Sequence, residues 1–451
     1  MTAALAKTAE EALVRLRAAA PKNVELELYL SRSEERSIDL RDGRLDGVQS
    51  AASEGAGLRV IGAGRMAFAA AGQASVDAAM ALLPRALEQL PHVEADDKRA
   101  LPVPPKAADD AELSRSLWDE KLFTTSWDVI RPRLEELSAR VRKADKRVAS
   151  VLRAGYSESR GEVAIASTRG VMTHERGGSC SVGASALCDD GGELQVGSAY
   201  QSSRIAAALD FDLVARQAAE RTVALLGATK LPGGRRSVIF DPWVSGEFLE
   251  LISGLLCADE AQRGKSLLAG KIGQKVGSSL LTFVDDPRKK AGMASALYDD
   301  EGAPTARKIM IESGVVKDFF HDAYTAAREG RASNASAGRG SYRGLPGPGP
   351  SNFYLEAGKT SRDELMSSTK DGVLVLDVMG MHMADPISGE FSVGVSGLAV
   401  KDGKVGHAVK GAMISGNLLE LLDRVDCVAD DLTFYGAMGA PTFRVADLTV
   451  A

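Results

Sequence analysis

Groups that do chemistry are thinly spread along this chain. Five histidines stand at positions 92, 174, 321, 382 and 407, and no two are close enough in sequence to share a metal. His174 is followed by Glu175, but Gly178 and Ser179 stand where a zinc-binding helix needs its second histidine. His382 and Asp385 lie in the run MHMADP, whose methionines point to packing. Around Ser396 the sequence is GVSG, with the second glycine one residue early for a nucleophile elbow. AGKIGQKVG (269–277) lacks the closing Gly-Lys-Ser/Thr of a phosphate loop. Asp285-Asp286 and Asp299-Asp300-Glu301 have the composition of acid–base pairs, yet beside glycine and proline they read as solvated turns. EFLELISGLLCADEAQRGKS (247–266) reads as a helix breaking into a glycine loop, a common seat for catalytic groups. It holds no histidine and a single cysteine, Cys257.

Around these residues the chain is that of a globular protein, with 451 residues, 45% apolar and 26% charged. That length suits two domains of roughly 200 residues each. A net charge of -6 argues against direct nucleic-acid binding, and the basic runs RVRKADKR and PRKK are too short to reverse it. The first helix is interrupted by Lys7, Glu10, Glu11, Arg15 and Arg17, so it offers no apolar core for a signal peptide, and no later run is long enough to span a membrane. Cysteines at 180, 188, 257 and 427 form no framework, which suits free thiols in a cytoplasmic protein.

The fold class expected is α+β: an N-terminal antiparallel sheet with flanking helices, then a mostly β C-terminal domain. The alternation in VELELYL and the turns Asp42-Gly43 and Gly62-Ala63-Gly64 predict α-β-β-β-β-α. The second helix starts at Ser75 and places Val76, Met80, Leu83 and Leu87 on one face. A charged, proline-bearing connector follows (91–116), then a long helix near 125–145. A β-meander over 148–204 has its turns at SRGE and CDDGGE, and a helix follows to Gly227. LPGG (231–234) sets the boundary between an N-terminal domain, 1–230, and a C-terminal domain, 231–451. In the second, two helices interrupt the strands, and 331–352 is a glycine- and proline-rich loop.

Several ordered motifs together carry a resemblance. QRGKSLLAGKIGQKVGSSLLTFVDDP, YDDEGAPT, IESGVVKDFF, PISGEFSVGVSGLAVKDGKVGHAVKGAMISGN and RVDCVADDL occur in the order of the TldD/PmbA family, and DLRDGRLDGVQSAASEGAGLRVIGAGRMAFAA extends the likeness to the first half. The chain resembles this family, long labelled modulators of DNA gyrase and understood as a two-subunit zinc-dependent protease. The resemblance implies a helix before the Arg-Gly turn with two histidine ligands and a glutamate base in HExxxH. Those places fall on Leu249, Glu250 and Gly254. The third ligand implied is a cysteine after the VADDL motif, where this chain has TFYGAMGAPTFRV; Cys427 precedes the motif.

Zinc needs at least three protein ligands to activate water. The resemblance is therefore to the metal-free PmbA/TldE subunit: no catalytic residue, metal or cofactor in this chain, and zinc in a TldD-like histidine-bearing paralogue. That paralogue would be the partner in a heteromer, around a peptide or unfolded-protein substrate. Leu249 joins Val244, Phe248, Ile252 and Leu256 in an apolar helix face, which core packing explains, and Gly254→His carries a cost where that position faces the core. The 331–352 loop is the implied substrate-holding element, through Arg339, Ser341 and Tyr342. Two other readings stay open: a stand-alone homodimeric binding protein, and an enzyme with relocated ligands at His321 and His382.

Overall fold

The computed structural model describes residues 4–103 and 110–451. Positions 104–109 of the expected connector lie outside the described residues.

The chain opens with helix α1 (Ala4–Ala19), then strands β1 (Val24–Arg41), β2 (Arg44–Gly62) and β3 (Arg65–Ala71), and helix α2 (Val76–Gln89). Asp42 and Gly43 have φ of 48° and 73°, the paired positive values of a tight hairpin that Asp-Gly accepts readily. The order is thus α-β-β-β-α, with three strands where four were expected. The apolar alternation of β1 stops at Leu30 and resumes at Ile38, but the strand runs through. Between them Arg32, Glu34 and Arg36 keep the same parity, and each faces an opposite charge on the neighbouring strand: Glu54, Arg160 and Glu158. Cross-strand ion pairs replace apolar burial there without breaking the ladder. Ser75 caps α2 by accepting from the Ala78 N–H. The stripe α2 buries is Ala79, Leu82, Leu83 and Ala86, with Val76, Met80 and Leu87 at its margins.

After α3 (Ala111–Ser116) and α4 (Trp127–Ala144) come β4 (Val148–Ser167), β5 (Met172–Asp190), β6 (Glu193–Ser203) and α5 (Phe211–Ala224). The SRGE segment is not a turn. β4 passes straight through it, with Gly161 opposite Gly177, and turns only after Ser167. The six strands form one antiparallel sheet in the order β3-β2-β1-β4-β5-β6. Leu26, Leu28 and Leu30 pack under α1 and α2, while Ile38 and Leu40 pack under α4 and α5. These β1 residues share a parity, so both helix pairs cover one face of the sheet.

The second half begins with β7 (Gly234–Phe240), α6 (Pro242–Leu255) and α7 (Ala258–Gln262). It continues through β8 (Phe283–Asp285), β9 (Lys308–Glu312), β10 (Val315–Val316), α8 (Ala323–Arg328), β11 (Ala337–Gly338), β12 (Gly347–Pro348), β13 (Phe353–Leu355) and α9 (Arg362–Ser367). It ends with β14 (Asp371–Met379), β15 (Glu390–Lys401), β16 (Lys404–Asn417), α10 (Leu418–Asp423), β17 (Val425–Val428), β18 (Thr433–Tyr435), β19 (Met438–Ala440) and β20 (Phe443–Val450). Strands dominate, as expected, but short helices α7, α8 and α9 join the two foreseen. Each is under two turns, too short to print a 3.6-residue period. Two six-stranded sheets form, β10-β9-β8-β13-β19-β18 and β16-β15-β14-β7-β20-β17. Phe240, Phe283, Phe353, Val375 and Phe443 pack between them in one core with the inner face of α6. Among the described residues, no helix is long and apolar enough to cross a membrane.

Candidate functional site

Helix α6 starts at Asp241, whose carboxylate accepts from the Trp243 N–H, with Pro242 in the first turn. Its apolar face is the one expected: Val244, Phe248, Leu249, Ile252 and Leu256 are each 2% exposed or less. Leu249 sits in an apolar space lined by Phe283, Leu355, Leu421 and Phe443. Glu250 and Gly254 lie on the exposed side. A Cβ built on Gly254 meets no atom within 4 Å. Five helical residues turn through about 140° beyond a full circle, so positions 249 and 254 face different ways on this regular helix.

The segment after the VADDL motif does come to α6, as β18 and β19. It brings Thr433, Tyr435 and Met438, and no thiol. Cys427, on β17, packs with Ile239 and Leu365, a cluster apart from the core that holds α6. His321 is fully buried, with the Glu329 carboxylate 3.5 Å from Nε2 and neither ring nitrogen in a hydrogen bond. The side chain of His382 lies outside the described residues. No group of three His, Cys, Asp or Glu side chains is placed to hold a metal among the described residues. Zinc does not fit at α6: one ligand position is a core leucine, one has no side chain, and the third offers no sulfur.

Beside Glu250 stands an aromatic wall that the sequence did not announce. Tyr200 from β6, Trp243 from α6 and Tyr435 from β18 meet edge to face, with centroids 4.9–5.9 Å apart. The Arg221 guanidinium lies 4.0 Å from the Trp243 ring and donates to the Tyr435 hydroxyl at 3.0 Å. Burial, with Tyr435 and the Glu250 carboxylate, pushes the Tyr200 hydroxyl up, against Arg221. From this wall a polar trough runs along the sheet face that the helices leave open. One part, about 390 Å³, is lined by Ser37, Gln49, Ser157, Ser181 and Met293. Its serines pair across strands, Ser157 with Ser181 and Ser159 with Ser179, each at 2.8 Å. The arrangement can hold an extended polar chain and an aromatic or apolar side chain.

The other end of that open face is sealed by the second half. Glu27 and Arg59, opposite each other on β1 and β2, are 1% and 5% exposed. The Arg59 guanidinium reaches Glu27 at 2.5 Å and Glu301 at 2.9 Å, and Arg339 also donates to Glu27. Burial alone would raise the Glu27 carboxyl, but Arg59 and Arg339 outweigh it and hold it low. Burial wins at Asp299, which is pushed up to about 7, with help from the Glu301 charge. It also wins at Glu175, pushed up to about 7 while accepting from the Leu297 N–H. Arg204 from the first half donates to the carbonyls of Gly292, Met293 and Ser295. The YDDEG acids are therefore not solvated turns, and neither is Asp285, 1% exposed with Lys308 at 3.1 Å. These carboxylates tie backbone N–H groups and arginines of separate segments together.

The loop residues expected to hold substrate fall on this seam. The Arg339 side chain is fully enclosed. The Tyr342 ring is buried with Tyr29, Ile165 and Val171, over Gly55 and Gly57, where any Cβ would strike it or its backbone. Ser341 is exposed, and its hydroxyl accepts from the Arg343 N–H.

Three consecutive family models cover this architecture: the PmbA/TldA metallopeptidase domain 1 at residues 26–89, the central domain at 94–226 and the C-terminal domain at 233–451. The chain belongs to the PmbA/TldD family. Within the PmbA/TldD family, a metalloprotease of Methanothermobacter thermautotrophicus is 33% identical over 224 residues, 49% of each chain, so this match spans about half of that relative. The TldD homolog of Haemophilus influenzae, called a metalloprotease, is 27% identical over 90% of this chain and 85% of its own. A crystal structure from Thermotoga maritima, of a protein with the suggested role of modulator of a DNA gyrase, superposes with a TM-score of 0.89. It shares 28% identity and covers 98% of this chain and 100% of its own. TldE from Thermococcus kodakarensis has the same fold, with a TM-score of 0.87 at 21% identity over 98% of this chain and 99% of its own.

Proposed function

We propose that this chain is the metal-free subunit of a TldD/TldE-type protease, working in the cytoplasm beside a histidine-bearing TldD-like paralogue that carries the zinc. The observation that carries this reading is the state of α6: Leu249 is built into the core and Gly254 is bare, on a scaffold that otherwise keeps the family's order. The chain would form one wall of the chamber in which the partner cleaves peptides, since excluding water and positioning a substrate need two walls. The trough and the aromatic wall are the surfaces on offer to a peptide. In the 331–352 loop, Arg339 and Tyr342 would anchor the segment that presents Ser341. Nucleic acid has no part in this reading, in keeping with the net charge of -6.

The test is reconstitution. This chain and its paralogue are mixed, and peptidase rate is measured with complex formation by size exclusion. The expected result is a stable heteromer whose activity exceeds that of either chain alone. A paralogue that is fully active by itself, unbound and unaffected by this chain, sinks the proposal.

A further inference from the structure

Arg221, half-buried on α5, is a cation without an acid. Its Nη1 donates to the Ser198 carbonyl at 3.3 Å and its Nη2 to the Tyr435 hydroxyl at 3.0 Å, and its guanidinium lies against the Trp243 ring. Among the described residues it makes no ion pair. The two arginines that line the trough itself are already neutralised, Arg36 by Glu158 at 2.6 Å and Arg153 by Asp39 at 2.7 Å. A guanidinium has five N–H donors in a planar fork, and the bonds to Ser198 and Tyr435 use two of them. The stack on Trp243 and the bond to Tyr435 fix the plane of the fork. The remaining donors are thus held ready for a planar acceptor of opposite charge, which is a carboxylate. The approach to this point is a floor without pockets. The section of trough that reaches Ser198 and Tyr200, about 290 Å³, is lined by Ser157, Ser181, Gly183 and Ser185. Across the strands Gly155 faces Gly183, which faces Tyr200, and Ser157 faces Ser181, which faces Ser202. Side chains this small offer hydroxyls to a main chain and nothing that grips one side chain over another. The unspent charge and the broad aromatic surface both stand at the end.

We propose that Arg221 binds the C-terminal carboxylate of a peptide lying in the trough, and that Tyr200, Trp243 and Tyr435 receive its last side chain. An amino terminus would meet like charge at Arg221, so the trough has a direction: the peptide lies with its C-terminal end at α6. An aromatic or long aliphatic last residue suits the wall best. The Glu250 carboxylate, which acts on Tyr200, is exposed and makes no ion pair with Arg221, so water screens it from the ligand. That the ligand is a peptide rests on the chamber reading above. The test uses the full chain without a partner, so its failure and a failed reconstitution are separate results.

The probes are three short peptides, labelled at the N-terminus, of one serine- and glycine-rich sequence ending in phenylalanine: the free acid, the C-terminal amide, and the amide with aspartate in the next-to-last place. Binding is read by fluorescence anisotropy. On the wild type the acid should bind about ten-fold tighter than either amide, the worth of a charge-assisted hydrogen bond at a half-exposed site. Arg221→Gln, its folding checked by circular dichroism, should bring the acid down to the level of the amides. Equal binding of acid and amide by the wild type, or binding of neither, overturns the proposal without recourse to any variant. An aspartate amide that matches the acid also overturns it, since Arg221 would then read side-chain carboxylates. So does a folded Arg221→Gln that keeps the preference for the acid.

Discussion

Leu249 and Gly254 take opposite roles on one helix. Leu249 fills apolar space between the two C-terminal sheets, so Leu249→Ala should lower the unfolding free energy by about 2–5 kcal/mol, the cost of lost transfer plus a cavity. Gly254 meets open space, so Gly254→Ala should raise stability by roughly 0.5–1 kcal/mol through helix propensity alone. Denaturant midpoints of the two variants should move in opposite directions, and equal losses would contradict this placement. The difference between the positions was legible, because a spacing of five separates two helix faces. The outward face of Gly254 was not: Leu255 and Leu256 follow it, and a leucine-rich stretch does not mark which side is solvent. The cost named for Gly254→His was conditional on that position facing the core, and the position instead faces outward with room for a side chain.

At the scale of elements, the hairpin at Asp42-Gly43 could be read directly, since positive φ at both residues restricts the sequence. The seam could not. Alternation in VELELYL marks Glu27 as belonging to the polar face, but parity says nothing about what covers that face. Here Arg59, Arg339 and Glu301 cover it, from segments distant in sequence. Arg59→Met should cost about 3–5 kcal/mol, because it leaves Glu301 buried without its cation and Glu27 with Arg339 alone. A loss below about 1 kcal/mol in a denaturant series would show that the pair is not closed in solution.

The seam also sets a pH dependence. Glu175 and Asp299 have folded values raised to about 7, above their ordinary carboxylate values, so the folded state holds these protons more tightly than the unfolded chain. Their contribution is complete below the ordinary range and is lost as pH rises toward and through about 7. The thermal midpoint should therefore fall between about pH 5 and about pH 8, and Glu175→Gln should flatten part of that fall. A midpoint that climbs across this window in both proteins would contradict the assignment.

At the scale of the whole molecule, the α+β class was legible because it rests on local periods and turns. What joins the halves was not, because it rests on Arg204, Arg59 and Arg339 reaching across the chain. The aromatic wall was hidden for the same reason: Tyr200, Trp243 and Tyr435 are far apart in sequence and meet only when β6, α6 and β18 come together. The absent ligands, in contrast, could be read one position at a time, and they decide the role proposed for the chain. Metal content tests that role most directly. The chain, purified without chelator and dialysed, is assayed for zinc by elemental analysis. The account predicts far less than one zinc per chain, both alone and after zinc is added and removed by dialysis. Zinc retained near one per chain would contradict it.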